Sequence, residues 1–159
     1  MKPKKLIKQE TDYTCGVAVC RMVLDTYLDT VYDNELELIE ILHTNDQTGT
    51  DYDDLCEAFK NFGLKDFIFE TDSKLERCNQ LRKEGYMIIM MIDIGESHYS
   101  VYAGTVGSHK ILLYDPYIGI KAFDKVPFLE QKSGTTKRPK WRVVKDGQLI
   151  KKSFIAVKR

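Results

Sequence analysis

The chain has 159 residues, 43% hydrophobic and 30% charged, with twenty-four bases against twenty-four acids. It is the size of one domain, too apolar and too balanced for disorder, and with zero formal charge it is no general polyanion binder. The longest apolar run, the seven residues Tyr86–Ile92, is far short of the roughly 20 that a membrane span needs, and no apolar stretch follows Met1-Lys2-Pro3-Lys4-Lys5 to make a secretory signal. The expectation is a cytoplasmic chain without a membrane span.

In chain order, the first half reads helical. Thr14, or Thr11 with Asp12, can cap a helix over Cys15–Leu28, in which Ala18, Met22, Val23 and Tyr27 fall near helical spacing. Asn34 opens a second, carrying Leu36, Leu38, Ile39 and Leu42 and ending near His43. Thr50 with Asp53 resembles a capping arrangement for a third, with the stripe Leu55, Ala58, Phe59 and Phe62 and Gly63 at its C-terminus. Ser73 opens a fourth, with Leu75, Cys78 and Leu81, closed by Gly85.

After Gly85 the period changes. Met87–Ile94 is an apolar run suited to a fully buried strand, and Ser97–Gly104 and Lys110–Tyr114 follow, joined by a hairpin loop at Thr105–Ser108. Gly119–Phe123, Trp141–Val144 and Phe154–Val157 are shorter strands, and Gln131–Lys140 is a polar, basic loop. Helices first and antiparallel strands after predict one α+β domain over residues 1–159, helical over about 10–85 and sheet over about 86–159.

Four cysteines, Cys15, Cys20, Cys56 and Cys78, form no C-x-x-C pair, which argues against a disulfide framework and a zinc ribbon. Either all are buried or one is chemically special. Cys15 stands where the first helix begins, and the partial positive charge of a helix N-terminus favours thiolate, the nucleophilic form. A cysteine among Val and Met is also ordinary core filler. Gly16 beside it removes bulk and lets a substrate backbone approach. Gln9, six residues earlier, can set its side-chain amide beside the Cys15 amide to hold an oxyanion, or it is simply a solvated residue of a polar arm.

A base must come from three histidines. His43 suits a helix end and His109 a solvated turn, whereas His98 begins a strand. If Thr105–Ser108 closes the hairpin symmetrically, Ser100 faces Leu113 and His98 faces Asp115, whose carboxylate can then fix the imidazole tautomer. A slip of one residue would separate the pair, and Asp93 is the competing orienter. Asp115-Pro116 ends that strand abruptly, because proline donates no backbone hydrogen bond.

Two further clusters have plain explanations. Asp51, Asp53 and Asp54 suit the dipole of a helix's first turn better than a cation site. From Gln131 to Arg159 there are ten Lys/Arg and one acid, leaving fourteen bases against twenty-three acids upstream. No nucleic-acid motif accompanies this basic stretch, which reads as a solvated strand face with a basic loop, or as an attractor of an acidic peptide.

Gln9-Glu-Thr-Asp-Tyr-Thr-Cys15-Gly16-Val-Ala18, then His98-Tyr99-Ser-Val-Tyr, then Leu-Leu-Tyr-Asp115-Pro116-Tyr-Ile-Gly119, resembles the double-glycine leader peptidases, the bacteriocin-processing cysteine peptidases with a papain-like fold. Gly49-Thr50, Leu55, Phe59 and Gly63-Leu64 resemble that family's internal helix, so the similarity runs from Gln9 to Gly119. The resemblance implies Cys15 as nucleophile, His98 as general base, Asp115 as orienter and Gln9 in the oxyanion hole. Gly16, Tyr99 and Pro116 are the expected substrate contacts. It further implies cleavage after Gly-Gly in a leader peptide, no metal or organic cofactor, and a peptide-exporting ABC transporter as a partner. The alternatives are a papain-like amidase, transferase or isopeptidase on another substrate, and a peptide-binding module without turnover. The joint presence of Cys15, His98 and Asp115 speaks against the last.

Overall fold

The computed structural model describes residues 1–129, 139–145 and 148–159. Three helices come first: α1 (Cys15–Leu28), α2 (Leu36–Ile41) and α3 (Tyr52–Asn61). The strand β1 (Asp66–Glu70) and helix α4 (Leu75–Lys83) follow. Then come β2 (Met87–Asp93), β3 (Ser97–Val106), β4 (Lys110–Asp115), β5 (Gly119–Asp124), the short α5 (Lys125–Leu129), β6 (Arg142–Lys145), β7 (Gln148–Lys151) and β8 (Phe154–Lys158).

Six strands form one antiparallel sheet in the order β1-β8-β2-β3-β4-β5, and β6 and β7 form a separate pair. Strand β2 sits inside the sheet and is apolar up to Asp93, its last residue, because both of its faces are covered. Met87, Ile89 and Met91 join the core beneath α1 and α3, with Leu24, Leu55 and Phe59. Ile88, Met90 and Ile92 join the opposite core, with Leu81 of α4, Phe128 and the fully buried Trp141.

Helix α1 packs across β3 and is apolar almost all round, with only Thr26 and Leu28 of its residues not buried. It ends at Asp29, which takes a left-handed conformation (φ 53°). Helix α3 is capped by Asp51, whose carboxylate accepts the Tyr52 amide at 2.6 Å, rather than by Thr50. Thr50 is buried, and its hydroxyl meets that of Thr44 at 2.7 Å. Asn34 accepts the Leu36 amide at 3.1 Å and so helps to begin α2.

The helical part and the sheet part follow in the expected order, but the boundary between them is less sharp than expected. Strand β1 arises between α3 and α4 and runs to the sheet edge to pair with β8, Phe67 opposite Val157. The hairpin also differs from the symmetric expectation. Val106 pairs with Lys110, so the loop is Gly107–His109, and an irregularity at Ala103 separates the Gly104–Leu112 pair from Tyr102–Leu113. The loop expected over Gln131–Lys140 lies, apart from Pro139 and Lys140, outside the described residues.

Candidate active site

Cys15 opens α1 and is 8% exposed; no side chain caps the helix there, which leaves its first amides unclaimed by a capping group. All four thiols are free. Burial pushes Cys78 up to about 12 and Cys56 to about 11, and pushes Cys20 further still. These three are core or half-buried groups held as thiols.

His98 is buried near the start of β3, and its Nε2 donates to both carboxylate oxygens of Asp115, each at 3.1 Å. Asp115 is wholly buried. Its Oδ1 also accepts the Tyr117 amide at 2.9 Å and the Ile118 amide at 2.7 Å, so the Asp115-Pro116 turn fixes the carboxylate before His98 reaches it. Burial alone would push Asp115 up, but the bond from His98 and those two amides hold it below the usual carboxylate range. For His98, burial opposes the charged ring, yet the hydrogen bonds with Asp115 and Cys15, and their charges, outweigh it and lift the imidazole to about 9. With Nε2 committed to Asp115, Nδ1 is the nitrogen left for Cys15. Asp93 is engaged elsewhere, accepting the Gly95 amide at 2.9 Å and Arg142 Nε at 3.0 Å.

Gln9 lies on the N-terminal arm that leads to Cys15. Its backbone amide donates to the Pro116 carbonyl at 3.3 Å, which ties the arm to the Asp115 turn. Its Nε2 donates to the Thr11 carbonyl at 2.7 Å, while its buried Oε1 has no hydrogen-bond partner among the described residues. A primary amide carries two N–H groups, so one remains for another acceptor.

A cleft of about 750 Å³ opens over Cys15 and His98, lined by Tyr13, Thr48, Tyr52, Phe69, Met91 and Tyr99 among others. Of the three expected substrate contacts, only Tyr99 lines it. Gly16 is buried, and a Cβ there would stand 2.5 Å from the Thr50 Cβ and Oγ1, so packing against Thr50 accounts for the glycine. Pro116 is buried with its carbonyl on Gln9. His43 pairs with Asp54 at 3.1 Å on an exposed surface, and His109 stays exposed in the hairpin loop. The aromatic wall was missed in the sequence. Tyr52 and Phe69 lie with ring centroids 4.6 Å apart and planes tilted by 36°, and Phe69 belongs to β1, the strand that sequence periodicity did not reveal.

The cleft also carries Asp12, Asp46, Asp51, Asp53 and Glu96. Among the described residues none of the basic C-terminal side chains lines it. Described C-terminal bases are used structurally: Arg159 donates to the Tyr27 carbonyl at 3.1 Å, and Lys158 lies over the Tyr86 ring. Among the described residues no group of three or more His, Cys, Asp or Glu side chains could hold a metal ion. Among them, too, no helix is long and apolar enough to cross a membrane.

The peptidase C39 family model matches residues 3–136. No curated protein matches the chain. Among solved structures, the chain is similar to the peptidase domain of ComA from Streptococcus, described as a bi-functional ABC transporter involved in a quorum-sensing pathway. The two are 21% identical over 96% of each chain, with a TM-score of 0.66. It is similar to a double-glycine-motif protease from an AMS/PCAT transporter, solved in complex with the leader peptide, at 19% identity over 99% of this chain and 93% of that one, TM-score 0.69. The peptidase domain of Streptococcus mutans ComA matches at 21% identity over 98% and 99%, TM-score 0.63. At these identities the structures establish a shared fold, the papain-like arrangement of helices on an antiparallel sheet.

Proposed function

The chain belongs to the peptidase C39 family and is a cysteine peptidase, and we propose that it is of the double-glycine type, cutting a leader peptide after a Gly-Gly pair through a thioester on Cys15. The observation that carries this reading is the line of contacts from Asp115 through His98 to Cys15. Asp115 fixes the imidazole with a proton on Nε2, so Nδ1 exchanges a proton with the sulfur. Cys15 attacks the scissile carbonyl, and a C–S bond forms. The oxyanion is held by the Cys15 amide and the second N–H of Gln9. His98 then protonates the leaving amine as the C–N bond breaks. Water, activated by His98, attacks the thioester and releases the leader acid and the free thiol.

The aromatic wall of Tyr52 and Phe69 offers apolar surface to the leader. The burial of Cys15, only 8% exposed, favours residues without side chains at the cut. On this reading the chain works on the cytoplasmic side of a peptide exporter, processing the exporter's cargo.

A synthetic peptide with a helical leader ending in Gly-Gly, followed by several further residues, tests the substrate class. Mass spectrometry should find one cut, directly after the second glycine, and replacing either glycine by valine should abolish it. Cleavage indifferent to those glycines would favour a general papain-like hydrolase instead.

A further inference from the structure

Resting on that reading, we propose that Glu35 is a positioning residue of the active site, its buried carboxylate clamping the Gln9–Thr14 arm so that Gln9 and the Cys15 amide are held as an oxyanion hole. Glu35 lies at the start of α2 and is only 1% exposed. Its Oε2 accepts the backbone amide of Glu10, the residue after Gln9, at 3.1 Å. The Thr14 hydroxyl, directly before Cys15, donates to the Thr11 carbonyl at 3.2 Å. Glu35 thus holds the arm at Glu10, beside Gln9, and Thr11 and Thr14 carry that anchor on towards Cys15.

The arm's own bonds make it a compact loop rather than a loose strand. Thr14 Oγ1 accepts the Thr11 amide at 3.1 Å, and the Thr14 backbone amide donates to the Thr11 carbonyl at 3.5 Å. The same Thr11 carbonyl receives the Gln9 side chain. Displacing Glu10 or Thr14 therefore moves Gln9 Nε2 and the Cys15 amide together. Arg21 of α1 supports the clamp from below. Its Nη1 donates to Glu10 Oε1 at 2.9 Å and stands 3.8 Å from Glu35 Oε1. Its Nε and Nη2 donate to the Tyr32 carbonyl at 3.1 and 2.7 Å.

Burial raises the Glu35 carboxyl above its ordinary range, and among the described residues Oε1 has the Arg21 ion pair but no hydrogen-bond partner. What the carboxylate supplies is a fixed position for Glu10 and so for the loop that donates to the oxyanion. That role concerns reactions passing through a tetrahedral intermediate and leaves the nucleophilicity of the sulfur untouched.

The test compares two reactions of Cys15 in the folded protein. Acylation by p-nitrophenyl acetate forms an oxyanion before p-nitrophenolate leaves; alkylation by iodoacetamide forms a C–S bond and expels iodide with no oxyanion. Glu35→Met should slow acylation by about tenfold or more, the scale expected when oxyanion donors are misplaced. Alkylation should stay within about twofold. Glu35→Gln, whose carbonyl can still accept the Glu10 amide, should restore acylation to within about threefold of the unaltered protein. If Glu35→Met does not fold, the double variant Arg21→Met/Glu35→Met, which buries neither charge, carries the same comparison. Unchanged acylation, or acylation and alkylation falling in proportion, would overturn the proposal. If Cys15 of the unaltered protein undergoes neither reaction, the peptidase reading itself fails and this inference falls with it.

Discussion

His98 and Asp115 meet at 3.1 Å only because the β3–β4 hairpin contains an irregularity at Ala103. At the loop, Val106 faces Lys110 and Gly104 faces Leu112. That register carried inward would put the histidine and the aspartate on opposite faces of the sheet. Past Ala103 the pairing changes by one residue, Tyr102 facing Leu113 and Val101 facing Tyr114. His98 then lies diagonally across from Asp115 on the same face, within reach of a long side chain. Gly104, at φ 118°, supplies the conformation the irregularity needs.

Asp115→Asn should give a folded enzyme with kcat lower by about 10²-fold or more. The asparagine oxygen can still accept the Tyr117 and Ile118 amides, so its NH2 faces His98 and forces the ring proton onto Nδ1, where it cannot accept from the thiol. Steady-state kinetics on the Gly-Gly peptide checks this; an unchanged kcat would reduce the centre to a Cys15–His98 dyad.

Gln9→Ala should lower kcat by about 10²–10³ with little change in KM, because the lost donor acts on the oxyanion and not on the bound peptide. A rate within a fewfold of the unaltered enzyme would make Gln9 a structural residue of the arm, bonded only to Thr11 and Pro116.

The pH dependence of stability follows from the two buried groups. Burial disfavours charged His98, but Asp115 and Cys15 raise it from 6.5 to about 9, so its contribution is full below about 6.5 and is lost as pH rises through about 9. Asp115 is held below its ordinary value, so its contribution is present above 3.8 and is lost as pH falls through its depressed value. Tm should therefore decline by roughly 5 °C between pH 6.5 and 9.5. In His98→Ala that decline should be absent, and calorimetry showing the same decline in both would contradict the assignment.

Gly16→Ala should destabilise the protein by about 1–3 kcal/mol, since the new methyl group meets Thr50 at 2.5 Å and the first turn of α1 must shift. Activity should fall with it, because that turn carries Cys15. Chemical denaturation measures the first effect, and an unchanged midpoint would show that Thr50 yields.

Much of this was legible in the sequence. Helix α1 was read with its full bounds because its apolar residues follow helical spacing between a polar arm and Asp29. Strand β2 announced itself by an uninterrupted apolar run, which a strand covered on both faces requires. The choice of His98 and Asp115 also agrees with the contact found, but by a different register: the expected and observed pairings differ by two residues and so share a face. Strand β1 was illegible because Asp66-Phe-Ile-Phe-Glu70 is short, sits at the sheet edge and pairs with the chain's last strand, a long-range contact that no local period reports. Phe69 and the aromatic wall went with it. Glu35 was equally hidden, since its partner Glu10 lies more than a helix away in sequence.

The central claim is that Cys15 is the nucleophile, and Cys15→Ala tests it most directly. The substitution removes one sulfur from a site 8% exposed and should leave the fold intact. Cleavage of the Gly-Gly peptide, followed by mass spectrometry alongside a thermal melt, should disappear in a variant that still folds. Cleavage at the same bond with a comparable rate in that variant would contradict the account.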